Sequence, residues 1–162
     1  MKRAILATWL LALILAAPVT AAEPRWPDQG WQVMPTSLAY DDLLEALREA
    51  VEAEGLFVVT EAGPTEAAEN RGVTIPGNRV VGVFRNDYAV RILRLSVPAM
   101  IEAPMRFYVT ENEEGSATLS WKTPTHLLEP YVDAAGEELE TVGRELDTLF
   151  AAIAKRATEE SE

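Results

Sequence analysis

Residues 105–122, MRFYVTENEEGSATLSWK, decide the fold of this chain. Two runs of alternating apolar and polar residues, 105–110 and 116–122, flank a polar segment that ends at Gly115. Alternation places successive side chains on opposite faces of a strand, and a short polar loop containing glycine is typical of a hairpin. The sequence therefore predicts two antiparallel strands joined by a solvated turn. The acidic residues of that turn match no calcium-binding loop spacing.

Upstream of the hairpin, helical and extended patterns alternate. Apolar residues at positions i, i+3, i+4, i+7 and i+11 from Tyr40 predict an amphipathic helix that stops at Gly55. A second helix is predicted from a cap at Asn86 or Asp87 to Leu95. Three segments are predicted strands, of which the last two are expected to be buried: residues 31–34, 56–60 and 79–84. Residues 65–70 form at best a short helix, and Gly82 marks a close backbone approach.

Downstream of the hairpin, Pro124 and Pro130 are expected to break the chain before one long helix over residues 136–156. The predicted element order is β-α-β-(α)-β-α-β-β-α. This order indicates a single α+β domain with a mostly antiparallel sheet and helices packed on one face.

Two stretches together resemble the DUF302 family of small bacterial domains. One is the hairpin with Pro104, Gly115 and Trp121, and the other is residues 79–87, RVVGVFRND. The resemblance covers residues 31–157 and implies an α+β fold without a settled activity, so no family catalytic residue is carried over. The chain departs from the family pattern at Arg85 and Asp87, where Gly and Pro are common, and at Trp121, where Tyr is common.

The N-terminus has the three-part pattern of a secretory signal peptide. Lys2 and Arg3 precede an apolar run over residues 4–17, and small residues follow Pro18. The run is shorter than the about 20 apolar residues of a spanning helix, although a retained anchor is the alternative. We expect cleavage after Ala22, or next after Ala21, which leaves no stable membrane anchor and a periplasmic domain, or an extracellular one if the source lacks an outer membrane.

The predicted organisation is a signal peptide over 1–22, an extended leader over 23–30, the domain over 31–157 and a polar tail over 158–162. Without Lys2 and Arg3, 12 basic residues face 26 acidic ones, a net charge of −14. Such a chain repels nucleic acids, so no nucleic-acid partner is expected. The chain has no cysteine and one histidine. This excludes disulfides, thiol chemistry and histidine-rich metal centres, and we predict no cofactor and no metal.

Two groups of polar side chains are candidates for chemistry. Arg85, Asp87, Arg91 and Arg106 would form an anion-binding corner if the third strand ends near the hairpin. The alternative is that Asp87 caps the helix, while Arg91 and Arg106 neutralise acidic neighbours on a solvated face. His126, with carboxylates at Glu129 and Asp133, has the composition of a general base, and its alternative is a surface loop position.

Aromatic side chains form the third candidate. Tyr108 and Trp121 lie on the two hairpin strands, and Tyr131 follows soon after. They would line a pocket between the hairpin and a helix, although burial in the core is the default for such residues.

These observations favour a non-catalytic module that binds a small ligand or a protein partner. The alternative is a cofactor-independent enzyme that uses His126 or the group of Arg85, Asp87 and Arg106. A third alternative is a homodimer built across an exposed sheet edge or the last helix.

Overall fold

The computed structural model describes residues 24–159 and confirms a single α+β domain. Five strands form one sheet: β1 (Trp31–Ala39), β2 (Phe57–Ala62), β3 (Asn78–Phe84), β4 (Met105–Glu111) and β5 (Ser116–Lys122). The α-helices of the described residues are α1 (Tyr40–Ala53), α2 (Thr65–Glu69), α3 (Asn86–Leu95), α4 (Pro124–Ala135) and α5 (Glu137–Thr158). A 3₁₀ helix, Pro98–Glu102, precedes β4. None of the helices in this part of the chain is long and apolar enough to cross a membrane.

All strand pairs in the sheet are antiparallel, in the order β1-β5-β4-β3-β2. The predicted hairpin forms as β4 and β5, with Phe107 opposite Trp121 and Tyr108 opposite Ser120. The N-terminal strand β1 then pairs with β5, so that Trp31 lies opposite Lys122. Strands from both ends of the domain are therefore neighbours in the sheet.

The core lies between one face of the sheet and helices α1 and α5. The predicted apolar stripe of α1 is buried at Leu43, Leu47 and Val51. From the sheet, Phe107 stacks on Phe150 of α5 with ring centroids 4.6 Å apart. Alternation along the strands sends the remaining side chains to the opposite face, which we call the cavity face.

Gly55 behaves as the sequence predicts, whereas the atoms that come close to Gly82 belong to side chains and not to the predicted neighbouring backbone. Gly55 follows α1 with a φ of 78°, the left-handed conformation that ends many helices. A Cβ at Gly82 would overlap the Thr60 hydroxyl oxygen and approach Pro104 Cγ at 3.2 Å. The absence of a side chain at Gly82 therefore lets β2 and the segment before β4 come close to β3.

The predicted break after the hairpin was wrong, because α4 runs through Pro130. Pro124 occupies the first turn, where a missing N–H removes no intrahelical hydrogen bond. Asp147 of α5 accepts hydrogen bonds from the Thr125 amide and hydroxyl at 3.0 and 2.7 Å. This contact and the full burial of Leu128 hold α4 against α5.

The predicted burial of the second strand was also wrong. Phe57 and Val59 of β2 are 66% and 49% exposed. The reason is topological, because β2 lies at the edge of the sheet and its register with β3 shifts between Val58 and Thr60.

The predicted signal peptide, residues 1–22, lies outside the described residues. Residues 24–30 have no helix or strand. They are not free of the domain, however, because the Trp26 ring lies 5.3 Å from the ring of Trp31.

Candidate functional site

The cavity face has a different chemical character from the core face. Strand register places Val33, Ser120, Tyr108 and Val80 in one row across it. Trp31 and Lys122 are opposite each other on the adjacent strands β1 and β5. Polar, aromatic and aliphatic side chains are therefore mixed on this face, whereas the core face is almost entirely apolar.

A cavity of about 370 Å³ lies on this face. Its lining joins four strands of the sheet, β1, β3, β4 and β5, with helix α4 and consists of Trp31, Asn78, Val80, Arg106, Phe107, Tyr108, Lys122 and Leu127. Its size falls in the range of about 300–1,000 Å³ that is typical of small-molecule sites. The lining combines rings and aliphatic groups with a few polar ends, which is the usual composition of such sites.

The polar groups that line the cavity are mostly hydrogen-bond donors. Asn78 Nδ2 donates a hydrogen bond to the Tyr108 hydroxyl oxygen at 2.6 Å. Because that oxygen already accepts, the hydroxyl proton of Tyr108 is directed elsewhere and can be donated to a ligand. Arg106 and Lys122 add charged donors, and no carboxylate is among the lining residues.

The leader contributes a further aromatic ring beside the cavity. Trp26 is half-buried and makes an edge contact with Tyr108, at 6.2 Å between centroids, in addition to its contact with Trp31. Trp26, which precedes the sheet, therefore covers one side of the lining residues Trp31 and Tyr108.

The structure separates the arginine group that the sequence suggested. Arg85 donates two hydrogen bonds to Asp87, at 2.8 and 2.9 Å, and these bonds lower the pKa of the Asp87 carboxyl. Arg91 instead binds Glu145 of α5 at 2.6 Å and likewise lowers the pKa of Glu145. Each of these two guanidiniums is neutralised by a carboxylate. The alternative interpretation expected this for Arg91 and Arg106, and within residues 24–159 only Arg91 of that pair has an acidic partner.

Arg106 does not join that group. It lies between the buried residues Met105 and Phe107, and therefore points to the cavity face. The predicted anion-binding corner of Arg85, Asp87 and Arg106 is not formed. The predicted cap was also wrong, because α3 begins at Asn86 with no side-chain capping hydrogen bond.

His126 lies on the first turns of α4 and not on a loop. Its Nδ1 is 3.5 Å from a carboxylate oxygen of Glu129, and its ring packs against Gly30, where a Cβ would overlap it. His126, Glu129 and Asp133 line a cleft of about 440 Å³, separate from the cavity on the sheet. The adjacent Thr125 hydroxyl donates to Asp147 and not to the imidazole. Among residues 24–159 there is no group of three or more side chains placed to hold a metal ion.

The aromatic residues suggested as one pocket lie in different places. Trp121 is 4% exposed and packs on Phe107 in the core, whereas Tyr108 lines the cavity. The hairpin register causes this, because the residue opposite Trp121 is Phe107. Tyr131 donates to Glu102 at 2.9 Å, and this hydrogen bond raises the pKa of its phenol.

Sequence reasoning missed most of the cavity lining. Trp31, Asn78, Val80 and Lys122 come from three separate strands, and only the sheet order brings them together. A signal was nevertheless present, because the polar Gln32 separates the apolar Trp31 and Val33 at the start of β1. Alternation of this kind marks a second apolar face.

Comparison with known proteins gives one family and one fold. Residues 32–153 match the family described as "Domain of unknown function DUF302". The structure is similar to the crystal structure of an uncharacterized conserved DUF302 protein from Bacillus stearothermophilus. The TM-score is 0.71 at 19% identity, over 80% of this chain and 98% of that one. No curated protein matches.

Proposed function

The chain belongs to the DUF302 family, which fixes its fold without assigning an activity, and we propose that it is a non-catalytic module that binds a small ligand in the cavity on its sheet. The observation that carries this proposal is the cavity of about 370 Å³ on the face opposite the core, lined by Trp31, Val80 and Tyr108. Apolar walls with a few converging polar groups are the general form of a ligand site.

The chemistry of the lining supports binding more than catalysis. The cavity contains no imidazole and no carboxylate, and its one hydroxyl, on Tyr108, is already hydrogen-bonded to Asn78. General acid–base catalysis depends on groups that exchange protons near neutral pH, such as imidazole or a perturbed carboxyl. Arg106, Lys122 and Asn78 are instead suited to orient a ligand.

The cavity also has the support that a stable site needs. Its floor is built on β3, β4 and β5, three consecutive strands of the sheet order. Beneath β4, Phe107 is fully buried against Phe150 of the core. A site on strands is held more precisely than one on loops, so the walls do not have to be ordered by the ligand.

We further propose that this module works outside the cytoplasm, in the periplasm or the extracellular space. The support is the signal-peptide pattern of residues 1–22, with Lys2 and Arg3 ahead of an apolar run. Cell fractionation with N-terminal sequencing of the recovered protein tests this. A mature N-terminus at Glu23 or Ala22 is expected, and an intact N-terminus in the cytoplasmic fraction would contradict it.

Binding is tested with two aromatic probes, 1-naphthalenesulfonate and its neutral amide, 1-naphthalenesulfonamide. Amide chemical shifts of the full mature chain are followed by NMR during titration. Shifts centred on Val80, Tyr108 and Trp31 are expected with at least one probe, and native mass spectrometry of protein isolated from its own cells should show a retained small mass.

A pair of matched variants locates the site. Val80→Trp fills the cavity and should abolish probe binding, whereas Val59→Trp adds the same bulk on the exposed edge strand β2 and should leave binding unchanged. If neither probe shifts the amides around the cavity, or if both variants behave alike, the proposed ligand site is wrong.

A further inference from the structure

The charges around the cavity are unusual for this protein. The chain carries a net charge of −12, yet the cavity is lined by two cations, Arg106 and Lys122, and by no anion. Within residues 24–159, neither cation forms an ion pair, while most other cations there do. The cavity is therefore a locally positive site on an acidic protein.

The two cations are also neighbours. Arg106 precedes Phe107 on β4 and Lys122 follows Trp121 on β5, and Phe107 and Trp121 are register partners. Arg106 and Lys122 consequently stand at adjacent positions on the same face of adjacent strands. Like charges opposite each other across an antiparallel pair are destabilising, so this arrangement costs stability unless an anion lies between them.

The surrounding groups indicate what kind of anion fits. Lys122 Nζ lies 5.7 Å from the centre of the Trp31 ring, so the ammonium and an aromatic surface face the same space. The Tyr108 hydroxyl supplies a third donor, since its oxygen already accepts from Asn78. Val80 and Leu127 provide aliphatic contact for a part of the ligand that carries no charge.

We propose that the ligand of this cavity is a small organic anion with a flat apolar body, such as an aromatic carboxylate or sulfonate. The inference rests on the proposed function and names its ligand class. The anionic group lies between Arg106 and Lys122, where charge-assisted hydrogen bonds are strongest. The apolar body lies against Trp31 and Val80. A cation is excluded by repulsion from both side chains, and a neutral analogue leaves both charges without a partner.

Isothermal titration calorimetry with the same two naphthalene probes tests this directly, because they differ in charge and have the same ring. We expect the sulfonate to bind at least about tenfold more tightly than the sulfonamide, since hydrogen bonds to charged groups are stronger than neutral ones. The double variant Arg106→Gln/Lys122→Gln should weaken sulfonate binding by about tenfold or more and leave sulfonamide binding within about twofold.

Arg94→Gln is the matched control, because it removes an exposed positive charge from α3, on another element of the domain. It should leave both affinities unchanged. The two levels of failure are distinguishable. Equal affinity for both probes, or sulfonate binding that survives the double variant, overturns the anion assignment and leaves the ligand site standing. Absence of binding by both probes overturns the site and the assignment together.

Discussion

Replacing Gly82 by alanine tests whether glycine occupies this position because β2 and the segment before β4 come close to β3. The Gly82 backbone has strand conformation and is not left-handed, so alanine fits its φ and ψ. The new Cβ would overlap the Thr60 hydroxyl oxygen and lie 3.2 Å from Pro104 Cγ. The conflict therefore lies mainly with one exposed side chain of the edge strand.

The expected cost follows from two opposing effects. Overpacking of this kind costs about 1–3 kcal/mol. Alanine recovers about 0.5–1 kcal/mol, because glycine loses more backbone entropy in a strand. Gly82→Ala should therefore lower the free energy of unfolding by up to about 2.5 kcal/mol. In a Thr60→Ala background the main overlap disappears, and the same substitution should be neutral or slightly stabilising.

Urea unfolding of the four proteins in this cycle, followed by circular dichroism, measures the coupling between the two positions. We expect a coupling energy of about 1–3 kcal/mol, in the range of residues in direct contact. If Gly82→Ala costs the same in both backgrounds to within about 0.3 kcal/mol, steric conflict with Thr60 is not the reason for glycine.

Three further predictions concern the leader, an ion pair and the core. Trp26→Ala should destabilise the domain by about 0.5–1.5 kcal/mol, the usual value of aromatic contacts, and should shift the tryptophan emission spectrum. An unchanged urea midpoint would mean that the Trp26 ring does not hold the leader against the domain. Hydrogen bonds from Arg48 lower the pKa of the Glu61 carboxyl below its ordinary value of 4.5. The pair therefore stabilises the fold above pH 4.5, and this contribution is lost as the pH falls through the lowered pKa. Thermal midpoints between pH 7 and 3 should therefore fall less for Glu61→Gln than for wild type, and parallel curves would contradict the pairing. Phe150→Ala should lower the free energy of unfolding by about 3–5 kcal/mol, because the Phe150 ring is only 1% exposed. Phe57 is 66% exposed, so Phe57→Ala should change the free energy of unfolding by no more than about 0.5 kcal/mol in the same denaturant assay. Equal effects of the two substitutions would mean that Phe150 does not lie in the core.

The fold was largely predictable because local signals agree with it. The alternation in residues 105–122 gives the hairpin, and the apolar stripe from Tyr40 gives α1. Pro130 misled the prediction, since a proline inside a helix is tolerated when other contacts hold the helix in place. The exposure of Phe57 was not predictable, because edge position depends on sheet order and not on composition.

The candidate site was predictable only in fragments. Tyr108 and Arg106 were identified from the sequence, and both line the cavity. Alternation along β4 places them on the face opposite Phe107, but the face of Trp121 depends on the register of the hairpin, which the turn alone did not fix. Trp31 and Lys122 become partners only through the pairing of β1 with β5, far apart in the sequence.

That long-range pairing predicts an order of assembly. Strands β2 to β5 join neighbours that are close along the chain, whereas β1 reaches β5 across a wide separation, as in the hydrogen bond from the Thr36 hydroxyl to the Ala117 carbonyl over 81 positions. Closing such a loop costs more entropy than closing a hairpin, so β1 should dock last and detach first. Because β1 carries Trp31, the cavity is completed only at that final step. A bound ligand would then slow detachment of the N-terminal strand, and hydrogen exchange of the β1 amides should report occupancy of the site.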